Sequence, residues 1–323
     1  MFIIHDPVAD LAQALAQASL LPPFQKGARG LVTIGVFDGV HRGHQQIIVG
    51  MVEEAHTAGG FAVALAFDPH PATTLDHKPP PLLTTLDERA DLLAALGLDV
   101  LIVIPFTQAL ARTPADAFVE ALLRNLRLAE MWGGPDFALG HRREGDVPFL
   151  QHLGAERGFA VRVVEPLIWE GSLVSSSRVR AALRAGDIDQ ATGCLGRPYR
   201  LTGTVVHGDG RGRSLGIPTA NLASSPERLV PASGIYACLA HTERAGTHSA
   251  AVNIGTRPTF DSHNVTVEAH LIDFEADLYN QTLTLDFCAR LRDEVAFSSV
   301  DALMVQMQKD IAQAKDILGD AGI

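Results

Sequence analysis

Two stretches of this chain combine glycine, imidazole, hydroxyl and guanidinium groups in spacings suited to phosphate. The first is Gly35-Val36-Phe37-Asp38-Gly39-Val40-His41-Arg42-Gly43-His44, which follows the apolar run Leu31 to Ile34. His41 and His44 stand three apart at a strand-to-helix junction, so a helix starting there turns both imidazoles the same way. Gly43 removes a side chain where backbone can approach a phosphate closely. The helix start adds unpaired N–H donors and the positive end of a dipole. Such a frame, with Gly35, Phe37, Asp38 and Gly43 around the two histidines, can hold ATP and stabilise charge growing on its α-phosphate.

The second stretch runs from Gly208 to Leu222, as Gly208-Asp209-Gly210-Arg211-Gly212-Arg213-Ser214-Leu215-Gly216-Ile217-Pro218-Thr219-Ala220-Asn221-Leu222. Thr219 and Asn221 are two apart in an extended segment stiffened by Pro218, so their side chains share a face. A hydroxyl and an amide oxygen are hard, neutral ligands suited to Mg²⁺ that also holds ATP phosphates. The glycine-rich loop, with Gly208, Gly210 and Arg213, could close over those phosphates; it lacks the Gly-Lys-Ser/Thr ending of a Walker loop. In the predicted strand Val265–Ile272, alternation puts Thr266, Glu268 and His270 on one face and Val265, Val267, Ala269 and Leu271 on the other. Glu268 could accept a proton from a substrate hydroxyl. Spacing alone favours a solvent-facing glutamate on a half-exposed strand.

Three further segments could complete the first site. Ser175-Ser176-Ser177-Arg178-Val179-Arg180 opens a predicted helix with hydroxyls and two arginines in its first turn. Cations there are disfavoured by roughly 0.3 kcal/mol or more, so they are more easily explained if they meet an anion. Phe67-Asp68-Pro69-His70-Pro71 ends a strand at the same sheet edge, and Gly134-Pro135-Asp136-Phe137 could bring Asp136 to a substrate.

The elements that must position these residues change character along the chain. Leu31–Phe37, Ala62–Phe67, Val100–Ile104 and Ala160–Val164 read as buried strands. His44–Thr57, Leu86–Leu96, Pro114–Asn125 and Val147–Arg157 read as the helices between them. That alternation predicts an α/β, Rossmann-like domain with a parallel sheet, whose ligands sit beyond the carboxyl ends of the strands. Helices at Ser176–Ala185 and Ile188–Leu195 follow, the second opened by Asp187 as N-cap. Beyond Gly196-Arg197-Pro198 come strands at Leu201–His207, Gly234–Ala240, Ser249–Ile254, Val265–Ile272 and Thr282–Leu291, then one helix, Val300 to Leu318. This order predicts an antiparallel barrel with a packed terminal helix. The domains are placed at 1–186 and 200–323, with a linker at 187–199.

Bulk properties narrow the partners. The chain has 323 residues, 47% hydrophobic and 20% charged, with a formal charge of -11. That length supports two domains with separate cores. The acidity argues against nucleic acid, which needs a basic face, but not against nucleotides. Cys194, Cys238 and Cys288 have no metal-ligand spacing and imply a reducing compartment. With no basic leader and no membrane-length apolar run, the expectation is a cytoplasmic protein with small-molecule substrates. Any self-association is expected to be weak.

At these motifs the chain resembles the bacterial bifunctional riboflavin kinase/FMN adenylyltransferase family, also called bifunctional FAD synthetase. The motifs occur in the family's order: Gly-Val-Phe-Asp-Gly-Val-His-Arg-Gly-His, Phe-x-Pro-His-Pro, Ser-Ser-Ser-Arg-Val-Arg, Leu-Gly-Arg-Pro-Tyr at Leu195–Tyr199, and Gly-Ile-Pro-Thr-Ala-Asn-Leu. Asn253-Ile254-Gly255-Thr256-Arg257-Pro258-Thr259-Phe260 and Val267-Glu268-Ala269-His270-Leu271 follow. The resemblance implies an N-terminal nucleotidyltransferase domain that adenylylates FMN to FAD and releases pyrophosphate. It also implies a C-terminal six-stranded barrel that phosphorylates riboflavin to FMN with ATP and Mg²⁺. Carried over, His41 and His44 polarise ATP phosphates, Ser176, Ser177 and Arg178 complete that site, and His70 and Asp136 lie toward the substrate. Thr219 and Asn221 hold the kinase magnesium, Glu268 is its base, and Arg292 lies on the flavin side. Two other readings of the same residues are a nucleotidyltransferase for a different phosphate-bearing acceptor and a flavin-binding regulatory module.

Overall fold

The apolar runs of the first half form parallel strands sandwiched between helices. The computed structural model describes residues 1–6, 10–75, 78–208, 216–259 and 262–319. It divides into two units, Met1–Val174 and Ser175–Ile323. In the first unit the strands are β1 (Phe2–His5), β2 (Gly30–Gly35), β3 (Phe61–Phe67), β4 (Val100–Ile104), β5 (Glu130–Gly133) and β6 (Ala160–Val163). They pair in parallel in the order β1-β4-β3-β2-β5-β6. Strands β3 and β4 are almost wholly apolar because both of their faces are covered. Val63, Leu65, Val100 and Ile102 face one core, and Ala62, Ala64, Leu101 and Val103 face the other.

Helices α1 (Leu11–Ser19), α4 (Ala115–Leu126) and α5 (Val147–Arg157) line the first core with Leu15, Phe118, Leu122 and Leu150. Helices α2 (Arg42–Thr57) and α3 (Leu86–Ala95) line the second with Ile48, Met51 and Leu93. The chain runs from β2 outward to β3 and β4, then returns to lay β5 on the other side of β2. That reversal opens a crevice at the carboxyl ends of β2 and β5. Sequence reading passes over strand β1 and helix α1. Only Ile4 of β1 is buried, and α1 is short, held by a capping box between Asp10 and Gln13.

The second unit opens with α6 (Ser176–Ala185) and α7 (Ile188–Leu195), the latter capped by Asp187 accepting from the Gln190 N–H. Strands β7 (Tyr199–Val206), β8 (Ala220–Ser224), β9 (Gly234–Thr242), β10 (Gly246–Thr259), β11 (Ser262–Leu271) and β12 (Thr282–Arg292) then form a closed antiparallel barrel. Its order is β7-β8-β11-β10-β9-β12, and closure leaves no exposed sheet edge. Leu201, Leu222, Tyr236, Val252, Val267, Leu285 and Phe287 are buried on these strands. The alternation read for β11 holds from Val267 onward, whereas Val265 is half exposed. Helix α6 travels with the barrel through the Ala232 N–H, which donates to the Leu183 carbonyl at 2.9 Å. The packing units therefore part at residue 174, ahead of the change of texture at 187–199.

Helix α8 (Val300–Gly319) closes the unit by setting Ala314 and Leu318 against Ala237 and Ile272. A bidentate pair fastens it: Arg292 Nε and Nη2 donate to the two Asp310 oxygens at 2.9 and 2.6 Å. Gln306 adds a third donor to the same carboxylate at 2.9 Å. Cys194, Cys238 and Cys288 are free thiols, and burial pushes Cys238 and Cys288 up, away from thiolate reactivity. No helix among the described residues is long and apolar enough to cross a membrane.

The Asp310 carboxylate is almost inaccessible, while its arginine partner is partly solvated. Asp310→Ala should therefore lower the unfolding free energy by about 2–3 kcal/mol, below the range for a fully buried pair. Urea unfolding followed by circular dichroism measures this, and an unchanged midpoint would show the latch to be idle.

Candidate active sites

The first site is built by the turn that joins β2 to α2. The strand ends at Gly35, earlier than its apolar pattern suggests, because Phe37 adopts a left-handed conformation with φ 51°. Val40, with φ 39°, does so as well, a costly geometry for a β-branched residue. Asp38 pays for this strain. Only 2% exposed, it accepts from Leu83 N–H at 2.9 Å, Thr84 N–H at 3.0 Å and Thr84 Oγ1 at 3.1 Å. Thr84 Oγ1 in turn accepts from Gly39 N–H at 3.0 Å. The loop is thus anchored to the segment that enters α3, whose start is fixed by a Thr85–Glu88 capping box.

His41 caps α2, its Nδ1 accepting from the His44 N–H at 3.4 Å. The two imidazoles stack, with ring centroids 3.7 Å apart and an interplanar angle of 18°. Phe37 packs edge-on against His44 at 5.3 Å. Gly43 has a second use beyond close backbone approach: a Cβ there would lie 3.2 Å from the His41 ring. Gly35 likewise leaves room for the Phe37 ring. Burial, with His41 and then Arg89 as neighbouring positive charges, holds His44 well below its ordinary pKa. The pair therefore presents a neutral His44, whose imidazole can donate a hydrogen bond to a phosphate oxygen without protonation.

Asp136 is exposed on the loop that leaves β5, across the crevice from the β2 turn. Its backbone carbonyl accepts from Arg143 at 2.6 Å. His70 caps a short helix, Pro71–Thr74, just beyond β3, accepting from Ala72 N–H at 3.1 Å. The parallel register thus brings His41, His44, His70 and Asp136 to one edge of the sheet. Ser176, Ser177 and Arg178 form the first turn of α6 in the second unit, where Ser175 Oγ accepts from Arg178 N–H at 3.2 Å. Gly210 and Arg213 lie outside the described residues.

The second site is a row across the barrel's outer face. Asn221 on β8 stands opposite Glu268 on β11, and Glu268 stands opposite Asn253 on β10. The row continues through Ile235 on β9 to Arg292 on β12. Residues paired in this way share a face, and all five are partly exposed. Thr219 precedes Asn221 by two residues on the segment that His270 Nδ1 contacts at the Pro218 carbonyl, 2.8 Å away. Gly208 lies directly over the Asn221 amide, since a Cβ there would come within 2.6 Å of Oδ1. The glycine-rich segment therefore starts at the Asn221 side chain. Amide and carboxylate oxygens in one row, with the Thr219 hydroxyl two residues from Asn221, are the hard donor set that suits Mg²⁺.

Arg292 sits at the far end of that row, but its guanidinium is committed: Asp310 takes Nε and Nη2, and the Asp293 carbonyl takes Nη1 at 2.8 Å. Sequence reasoning missed Thr84, Arg89 and Asn253. Arg89, 1% exposed, is the cation behind His44, yet in sequence it resembles any helix-surface arginine. Asn253 stood inside a quoted motif, and only the register of β10 against β11 shows what it faces.

The lowered His44 pKa has a thermodynamic consequence. As pH falls through about 6.5, the unfolded imidazole binds a proton that the folded one resists. Stability present above that pH is lost as pH drops toward the lowered value. Both tryptophans, Trp132 and Trp169, lie in the first unit, so their fluorescence reports its melting. The melting temperature should fall between about pH 7 and pH 5, and His44→Phe should flatten that fall. An unchanged slope in the variant would assign the effect to another group.

Comparison with known proteins agrees with both halves. The FAD synthetase family model matches residues 24–178 and the riboflavin kinase family model residues 195–318. A bifunctional riboflavin kinase/FMN adenylyltransferase of Pseudomonas fluorescens is 38% identical over 290 residues, covering 89% of this chain and 93% of its own. The protein of that name from Escherichia coli strain K12 is 35% identical over 291 residues, covering 90% and 93%. A solved structure named a macrolide-efflux protein, from Streptococcus pneumoniae, superposes with a TM-score of 0.83 at 28% identity, covering 90% of this chain and 94% of that one. With a histidine-capped turn on a parallel sheet, a carboxylate–amide row on a closed barrel and relatives matched over nearly their whole length, this chain belongs to the bifunctional riboflavin kinase/FMN adenylyltransferase family.

Proposed function

We propose that this chain phosphorylates riboflavin to FMN with ATP and then adenylylates FMN to FAD, releasing pyrophosphate, with a separate site for each reaction. The observation that carries the kinase half is the register that sets Glu268 beside Asn221, two residues from Thr219. Glu268 accepts the proton of the ribityl primary hydroxyl, whose oxygen attacks the γ-phosphorus of ATP. The bond to the β,γ-bridging oxygen breaks and ADP leaves. Thr219 and Asn221 hold Mg²⁺, which when bound neutralises phosphate charge. Gly208, Gly210 and Arg213 cover the phosphates, and Arg292, fixed by Asp310, flanks the flavin.

In the adenylyltransferase half, an FMN phosphate oxygen attacks the α-phosphorus of ATP and pyrophosphate departs. His41 and His44 donate to the phosphates, supported by the loop of Gly35, Phe37, Asp38 and Gly43. His70 and Asp136 meet the substrate from the sheet edge. The enzyme acts in the cytoplasm on small molecules, without nucleic acid or membrane partners, and self-associates weakly if at all.

Chromatography of a reaction with riboflavin and Mg-ATP should show FMN first and FAD later. Glu268→Gln should cut FMN formation by about 10²–10⁴-fold and leave FAD formation from supplied FMN intact. His44→Ala should reduce FAD formation by about 10²–10³-fold while FMN accumulates. Equal loss of both activities in both variants would refute the two-site assignment.

A further inference from the structure

We infer that Asn253 is a positioning residue for Glu268, its side-chain carbonyl accepting the carboxyl O–H that forms when Glu268 takes the proton from the substrate hydroxyl. This rests on Glu268 being the kinase base. Asn253 and Asn221 stand opposite Glu268 on its two neighbouring strands. Opposed residues of an antiparallel pair have Cβ atoms about 4.5–5.5 Å apart, so each amide is within side-chain reach of the carboxylate. The two amides differ in what else they meet. Asn221 lies under Gly208 and two residues from Thr219. Asn253 Oδ1 is sealed from solvent and has no hydrogen-bond partner among the described residues.

The other end of that amide has company. Asn253 Nδ2 lies 3.6 Å, and Glu294 Oε1 2.7 Å, from the point where a Gly255 Cβ would stand. The donor end of Asn253 is thus on the side of a carboxylate, and the acceptor end is left over. A sealed acceptor without a donor is unusual and unfavourable. An ionised carboxylate offers it no proton, whereas a protonated one offers an O–H. The proton thus leaves the hydroxyl for Glu268, the freed electron pair forms the O–P bond, and ADP departs with the bridging oxygen. The new Glu268 O–H is held by Asn253 until product leaves and the proton returns to solvent. His270 on the same strand as Glu268 is engaged with the Pro218 carbonyl, Glu294 borders Gly255, Arg292 is taken by Asp310, and the residues directly opposite Glu268 on β8 and β10 are the neutral amides.

The test is Asn253→Leu, close in volume and lacking the acceptor, made in the full-length chain with and without Glu268→Gln. Kinase kcat should fall about 10-fold or more, the KM values for riboflavin and ATP should stay within about twofold, and the melting temperature should hold. In the Glu268→Gln background the leucine should cost nothing further, because Asn253 acts through the carboxylate. Should the leucine variant not fold, Asn253→Ala takes its place, and the division between kcat and KM decides alone. A wild-type kcat overturns the inference, as does a raised riboflavin KM at unchanged kcat, or an equal loss without Glu268. If the wild-type protein makes no FMN, the kinase reading itself has failed.

Discussion

Backbone hydrogen-bond register is the constraint on which both sites depend. In the barrel, Glu268 faces outward only because β11 pairs with β8 and β10 as it does. A slip of one residue would turn Glu268 inward among Leu201, Val252 and Phe287 and expose Val267 and Ala269. The apolar lining therefore enforces the placement of Glu268 between Asn221 and Asn253, and closure removes the free edge at which slippage is easiest. In the sheet, parallel pairing sends the loops after β2, β3 and β5 out at one edge, while the reversal of strand order parts two of them into a crevice. Neither arrangement needs the side chains of the sites to hold themselves together.

Desolvation sets the chemistry at the first site. The Asp38 carboxylate is out of water and is compensated by two N–H groups and a hydroxyl from the segment before α3. Those contacts hold the left-handed turn at Phe37 and Val40, which delivers His41 to the helix cap. His44, behind it, stays neutral because burial and two basic neighbours oppose a third charge. A neutral imidazole adds no buried ion, and under the proposed role a phosphate would meet donors already oriented. The same burial makes the unit acid-sensitive, so stability and chemistry share one cause.

Much of this was legible in the residues. Strongly periodic helices such as Ala115–Leu126 and Ser176–Ala185, and the apolar strand Val100–Ile104, declare themselves because pattern and burial agree. The alternation in β11 correctly separated Glu268 from Val267 and Ala269. Strand β1 was silent, since a four-residue edge strand with one buried side chain has too few apolar positions for any period, whereas the Asp10–Gln13 capping spacing of helix α1 was readable and passed over. Arg89, Thr84 and Asn253 were invisible for a different reason. Their importance comes from partners 30 or more residues away or on another strand, and no local spacing encodes that. Arg292 shows the converse, since its motif position was legible but its commitment to Asp310 on α8 was not.

The glycines of the two signatures act by sterics before they act by chemistry. Gly35 makes room for Phe37, Gly43 for the His41 ring, and Gly208 for the Asn221 amide. None of these three has the left-handed backbone that demands glycine on conformational grounds. In each case the missing Cβ is filled by a side chain of the site itself, so the glycine fixes where an imidazole, a phenyl ring or an amide can sit. Glycine at these three positions therefore seats the side chains to which the proposed phosphate chemistry is assigned. An alanine at Gly208 would press on Asn221, and through the register on its neighbour Glu268, before any nucleotide arrived.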